Sequence, residues 1–147
     1  MSSRWAARSA LALATAGLAV SGYLTVAHFT TPKVLACSES GTIDCSRVTT
    51  SAQSHVLGVP VAVLGLAWSA AMVALCTPSA WNAEASWIKG LRIALAVTGM
   101  AFVLWLVYAE LFVIRAICLW CTAMHVITFA LFVLVLLFGQ SSDTDAS

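Results

Sequence analysis

Residues 117–138 read ICLWCTAMHVITFALFVLVLLF, a run with no Asp, Glu, Lys or Arg. At about 1.5 Å of rise per residue, a helix of this length crosses a hydrocarbon layer about 30 Å thick. The run therefore predicts a transmembrane helix that opens on a C-x-x-C and carries His125 one turn deeper. Working outward, residues 91–113, 56–76 and 10–29 form three more apolar stretches, and no charged residue stands between Arg8 and Lys33. A cleaved signal peptide competes for the first stretch, since Arg4 and Arg8 precede it, but the run outlasts a usual signal core and no clear small-x-small cleavage site follows. The expectation is an all-α membrane protein, a four-transmembrane-helix bundle forming a single integral-membrane domain over residues 1–147.

Composition agrees. Of 147 residues, 61% are hydrophobic and 9% charged, against about 25% charged in an ordinary globular chain, and the mean hydropathy is +0.97. So few charges cannot solvate a water-facing surface, which excludes a soluble or disordered chain. A net charge of +1 without single-sign runs also leaves no surface for a phosphate backbone, so no nucleic-acid partner is expected.

The connections differ in length. Residues 81–90 and 114–116 read as short turns, whereas 30–55 is far longer than a bundle requires, and long loops are usually functional or disordered. Within it, Thr42 or Asp44 is placed to cap a short helix running through Cys45, Val48 and Ser51. The tail, 139–147, is short and polar. Lys and Arg are retained preferentially on the cytoplasmic side, which puts Arg4, Arg8, Lys89 and Arg92 inside against Lys33, Arg47 and Arg115 outside. That is a thin majority. The cysteines add to it, because disulfides persist on the oxidising side, and four crossings put Cys37, Cys45, Cys118 and Cys121 on one face. Both arguments prefer cytoplasmic termini, a cytoplasmic tail and an extracytoplasmic loop, in the cell inner or plasma membrane.

The chemistry lies in sulfur. Cys118-Leu119-Trp120-Cys121 puts two thiols one turn apart at a helix start, where they can close a disulfide and where backbone N–H groups stabilise a thiolate. Cys37 and Cys45, with seven residues between them and on the same predicted side, supply a loop dithiol able to exchange electrons with the fixed pair. Other readings of the same residues stay open: two structural disulfides stapling a non-enzymatic scaffold, or a zinc site of four thiolates or of three with His55, although C-x7-C is looser than the usual knuckle. Cys76, the odd cysteine, reads as a free buried thiol.

Cys37-x7-Cys45-Ser46-Arg47-Val48, then Ser51, then Gly58-Val59-Pro60, then Cys118-x2-Cys121 resembles the vitamin K epoxide reductase family in its bacterial form, over almost the whole chain. The resemblance implies a four-helix bundle holding a quinone (menaquinone or ubiquinone) beside the C-x-x-C, with the long loop as lid and electron relay. It further implies a thioredoxin-like extracytoplasmic protein as electron donor, expected here as a separate chain because no such domain follows before Ser147. Carried over by position, Cys37 exchanges with that partner, Cys45 attacks Cys118, and Cys121 faces the quinone. Cys121 also lies about 4.5 Å deeper along the helix than Cys118, as a lipid-soluble acceptor requires. Ser51 matches a family Ser or Thr lining the site, and its other reading is a plain capping serine. The related quinone-linked family of the disulfide bond formation B type carries its C-x-x-C first, the reverse of the order here.

The chain also departs from the family pattern. Vertebrate members that reduce the epoxide carry an Asn early in the second span and a Tyr one turn past the C-x-x-C. Here Val61 or its neighbours and His125 stand there, which favours plain quinone reduction. His125, as an intramembrane ionisable group, is a candidate to donate a hydrogen bond or proton to a quinone carbonyl, its alternative being a histidine satisfied by a neighbouring helix. Trp120 is expected at the quinone or the lid, Trp5, Trp81 and Trp87 in an interfacial belt, Trp68 and Trp105 in packing or facing lipid. His28 and His55 read as interfacial, and Glu110 as pairing with Arg115 or snorkelling to water.

Overall fold

The computed structural model describes residues 3–30, 36–37 and 40–140; Lys33 and the tail residues 141–147 lie outside the described residues. Four long helices form the bundle: α1 (Ser3–Phe29), α3 (Val61–Cys76), α5 (Ser86–Tyr108) and α6 (Leu119–Phe138). Short helices α2 (Cys45–Thr49) and α4 (Pro78–Trp81) lie in the connections, and a hairpin of β1 (His55–Val56) and β2 (Val59–Pro60) leads into α3. Three helical stretches, Arg4–Phe29, Ser86–Ile114 and Leu119–Phe138, are long and apolar enough to cross a membrane, while α3 is shorter, 16 residues or about 24 Å. The molecule is an all-α membrane bundle.

Boundaries differ from the hydropathy reading in four places, the first being that α1 starts at Ser3 rather than at residue 10. The second helix starts at Val61, not at residue 56. Leu57 and Gly58 take positive φ, 52° and 82°, the pairing a two-residue type I′ hairpin needs, and Pro60 stands at the helix N-cap. The third helix begins at Ser86, so Trp87, Lys89 and Gly90 belong to it rather than to a turn, and a π-helical turn, Ala109–Ile114, extends it. The fourth begins at Leu119 with Cys118 as its N-cap, and Arg115, at φ 57°, makes the tight reversal before it.

The end of the bundle away from the long loop is close-packed. Ala6, Ala7, Ala10 and Ala14 of α1 are buried against Met72, Cys76, Trp81, Leu131 and Val135. Small side chains let helix backbones approach, which is what drives association where apolar burial against lipid gains little. Trp81 is thus a core residue, 3% exposed, rather than an interfacial anchor, and the Arg92 guanidinium lies 4.4 Å from its ring centroid. Arg92 Nη1 donates to the Leu75 carbonyl at 3.2 Å.

Candidate active site

Asp44 starts α2. Its Oδ1 accepts from the Arg47 N–H at 2.9 Å and from the Ser46 hydroxyl at 2.8 Å, and these two donors hold its carboxyl below the ordinary range. Asp44, not Thr42, is therefore the cap, and Ser51 falls past the helix end, where it precedes a 3-10 turn, Ala52–Ser54. Upstream, Ser40 and Ile43 pair across a turn that contains Gly41, and Ile43 pairs in parallel with Ile117. The Ile117 N–H donates to the Thr42 carbonyl at 2.8 Å and the Asp44 N–H to the Ile117 carbonyl at 3.1 Å. This short ladder ties the residues preceding Cys45 to those preceding Cys118.

All four predicted cysteines meet in consequence. Cys45 and Cys118 are fully buried in one cluster with Leu24, Val48, Ala109 and Ile114, and Cys37 and Cys121 pack against it. Cys37 and Cys45 are joined as a disulfide, while Cys118 and Cys121 are free thiols. The Cys121 N–H donates to Cys118 Sγ at 3.2 Å, the helix-start geometry that favours a thiolate. Bonded to each other, the Cys37 and Cys45 sulfurs offer no thiolate for a zinc site in this state. Among the described residues no group of three or more His, Cys, Asp or Glu is placed to hold a metal ion.

Trp120 closes over the loop. Its indole N–H donates to the Ala36 carbonyl at 3.0 Å, its ring lies 4.8 Å from that of Tyr23, and the Tyr23 hydroxyl accepts from the Ala36 N–H at 2.9 Å. Both polar groups of the residue before Cys37 are thus held, which docks that sulfur on the C-x-x-C. Tyr23 carried no sequence signal beyond its place in the first span.

Below the cysteines lies a cavity of about 280 Å³ between α3 and α5, and Cys121, His125 and Ser51 all reach it. Its floor is a close approach. The Trp68 ring sits so near Gly99 that a Cβ there would fall 2.6 Å from Trp68 Cζ2, and the indole N–H donates to the Leu95 carbonyl at 2.9 Å. Only glycine leaves room for that ring. Among the polar residues of the wall not foreseen as such are Gln53, whose amide comes from the 3-10 turn, His28, and Glu110. His28 also stacks edgewise on His55, 5.2 Å between centroids. Glu110 turns inward rather than toward Arg115. It is 6% exposed, and its Oε1 stands 4.0 Å from His125 Nε2, because the π-turn shifts the helix phase at that point. An ionisable residue inside an apolar span was the available signal.

Residues 9–136, which include the loop pair, the hairpin and the C-x-x-C, match the vitamin K epoxide reductase family. The chain belongs to the vitamin K epoxide reductase family. Among curated proteins no relative matches it. As a vitamin K epoxide reductase family member, the chain is a membrane thiol-disulfide oxidoreductase, and the packed sulfurs are what such chemistry requires. Exchange proceeds when a thiolate attacks a disulfide sulfur and displaces the other. Here a bonded pair, Cys37–Cys45, packs beside two free thiols, Cys118 and Cys121.

Proposed function

We propose that the protein passes electrons from a separate thioredoxin-like extracytoplasmic protein, through Cys37 and Cys45 and then Cys118 and Cys121, to a membrane quinone, so supporting disulfide formation in exported proteins. The observation that carries this reading is that Cys121 reaches the cavity wall and Cys118 does not. The donor set fits a quinone head: apolar walls from Val61, Phe102 and Leu106, with Ser51 and His125 as polar groups. The cavity also reaches Leu64, which is exposed on the bundle surface, where an isoprenoid tail would leave toward lipid. A bound quinone accepts two electrons and two protons.

The residues divide the work. Reduced partner attacks Cys37, and a second exchange releases the partner as a disulfide and leaves Cys37 and Cys45 as thiols. Cys45 then attacks Cys118 of the oxidised C-x-x-C, Cys121 leaves as the thiolate, and Cys37 attacks Cys45 to free Cys118. The loop pair is now bonded and the helix pair reduced, the distribution of sulfurs described above. Cys121 delivers the electrons as Cys118 closes on it, while His125 orients the acceptor by a hydrogen bond; the Ser51 hydroxyl, which donates to the Val48 carbonyl at 2.8 Å, joins it by turning into the cavity. The cytoplasmic termini and extracytoplasmic loop complete the reading.

The test is covalent trapping. With Cys37→Ala, exchange stalls after the attack, so acid quenching, alkylation and peptide mapping should find Cys45 bonded to Cys118. Finding only Cys118 bonded to Cys121, with Cys45 free during turnover on a dithiol donor, overturns the order. A membrane-impermeant thiol reagent on intact, reduced cells should label Cys37 or Cys45 and spare Cys76; labelling of Cys76 alone overturns the orientation.

A further inference from the structure

Among the described residues, Glu110 is the only buried acid, and it stands in the wall of the cavity. Its carboxylate is 4.0 Å from His125 Nε2, faces the backbone N–H of Cys118, and shares the wall with Cys121. The backbone that carries it is π-helical, Ala109–Ile114, a geometry that recurs at functional sites. The Glu110 carbonyl accepts from both the Arg115 and Ala116 N–H groups, which anchors the turn that aims the side chain inward. An acid inside a membrane bundle is costly to keep and marks a functional site by default. Here it lies between the thiols that must lose protons and the histidine beside the acceptor.

We propose that Glu110 and His125 form a proton-transfer pair that carries the protons of the Cys118 and Cys121 thiols to the oxygens of the acceptor in the cavity. The proposal rests on the quinone reading above. As the Cys118–Cys121 bond forms, two thiols lose two electrons and two protons, and the acceptor gains both. For each proton, Glu110 takes one from the thiol side, His125 gives one to the acceptor oxygen, and Glu110 restores it to His125. The pair ends each turnover as it began. One bridging water or a side-chain rotation closes the 4.0 Å gap. The titratable groups facing Glu110 are His125, Cys118 and Cys121, with His28 on the α1 side of the cavity.

Two measurements on the full-length protein test this, using Glu110→Gln, Glu110→Asp and His125→Gln, with Arg115→Gln as the control on the same turn. In reduced, quinone-free protein, the pH profile of Cys118 and Cys121 alkylation should move to lower pH in Glu110→Gln, since a neighbouring anion disfavours thiolate formation. It should stay put in Glu110→Asp and Arg115→Gln. With a soluble quinone analogue, quinol formation should slow about a hundredfold in Glu110→Gln and in His125→Gln, with KM unchanged in Glu110→Gln and the rate partly restored in Glu110→Asp. An unmoved alkylation profile, or a moved profile with an undiminished rate, overturns the proposal. Absence of quinone reduction in the unsubstituted, reduced protein overturns instead the quinone reading, and the alkylation profile still decides whether Glu110 couples to the thiols.

Discussion

At the closed end of the bundle, four alanines of α1 meet Met72, Leu131 and Val135 in a packed core; at the loop end the same helices part around a mainly apolar cavity that Cys121, His125 and Glu110 also reach. Each end buries a cysteine completely, Cys76 in the first and Cys118 in the second. Cys76 is a free thiol among apolar side chains. Cys118 caps a helix and sits one turn from Cys121. Burial is the same, so what sets Cys118 apart is the partner sulfur and the helix start, not depth. The charged residues differ likewise. Arg92, at the closed end, leaves Nε and Nη2 without partners and faces no acid among the described ion pairs, whereas Glu110 opposes His125 beside the thiols.

The sharpest way to break this contrast is to exchange one sulfur for oxygen at each end. Cys121→Ser should abolish quinol formation, whereas Cys76→Ser should leave turnover intact and show only in thermal unfolding. Equal effects on turnover would remove the distinction between the ends. Next in size is Gly99→Ala, which drives a methyl into the Trp68 ring. Overpacking of this kind costs about 1 to 3 kcal/mol, so a lowered Tm together with a raised KM for quinone is expected. A normal KM would separate the cavity floor from acceptor binding.

A smaller effect is expected at the lid. Trp120→Phe keeps a ring against Tyr23 but loses the bond to the Ala36 carbonyl. That bond is worth about 0.5 to 1.5 kcal/mol, so exchange between Cys37 and a thioredoxin-like donor should change by about three- to tenfold, read by stopped flow. The smallest concerns pH. The Arg47 N–H and Ser46 hydroxyl depress the Asp44 carboxyl in the folded state, so its stabilising effect is present above the unfolded carboxylate range and lost as pH falls through the lowered folded value. The α2 amides should therefore be better protected from hydrogen exchange than those of Asp44→Asn near neutrality, and the two should converge in acid.

Hydropathy read the four apolar runs and missed where backbone hydrogen bonding interrupts or extends them. Residues 56–60 are apolar enough for a span, yet Gly58 and Pro60 put a hairpin there. Ser86–Gly90 looked like a turn, yet continued α5 into the polar zone. The C-x-x-C, the loop pair and His125 could be picked out because residue type alone restricts their chemistry. Gln53 and Tyr23 could not, since neither type is unusual where it stands.

By itself the sequence determined that the chain lives in a membrane, and it put a long loop with one cysteine pair on the same predicted face as the last helix's C-x-x-C. Length, hydropathy and cysteine spacing are one-dimensional properties, and they suffice for that. Tertiary structure alone decided that Trp120 and Tyr23 clamp Ala36, that Gly99 admits the Trp68 ring, and that Glu110 turns to His125 instead of Arg115. Each of these depends on helix phase, on a π-turn that resets it, and on how closely α3 and α5 approach at Gly99. Such directions arise from several elements packing at once, so no local pattern contains them.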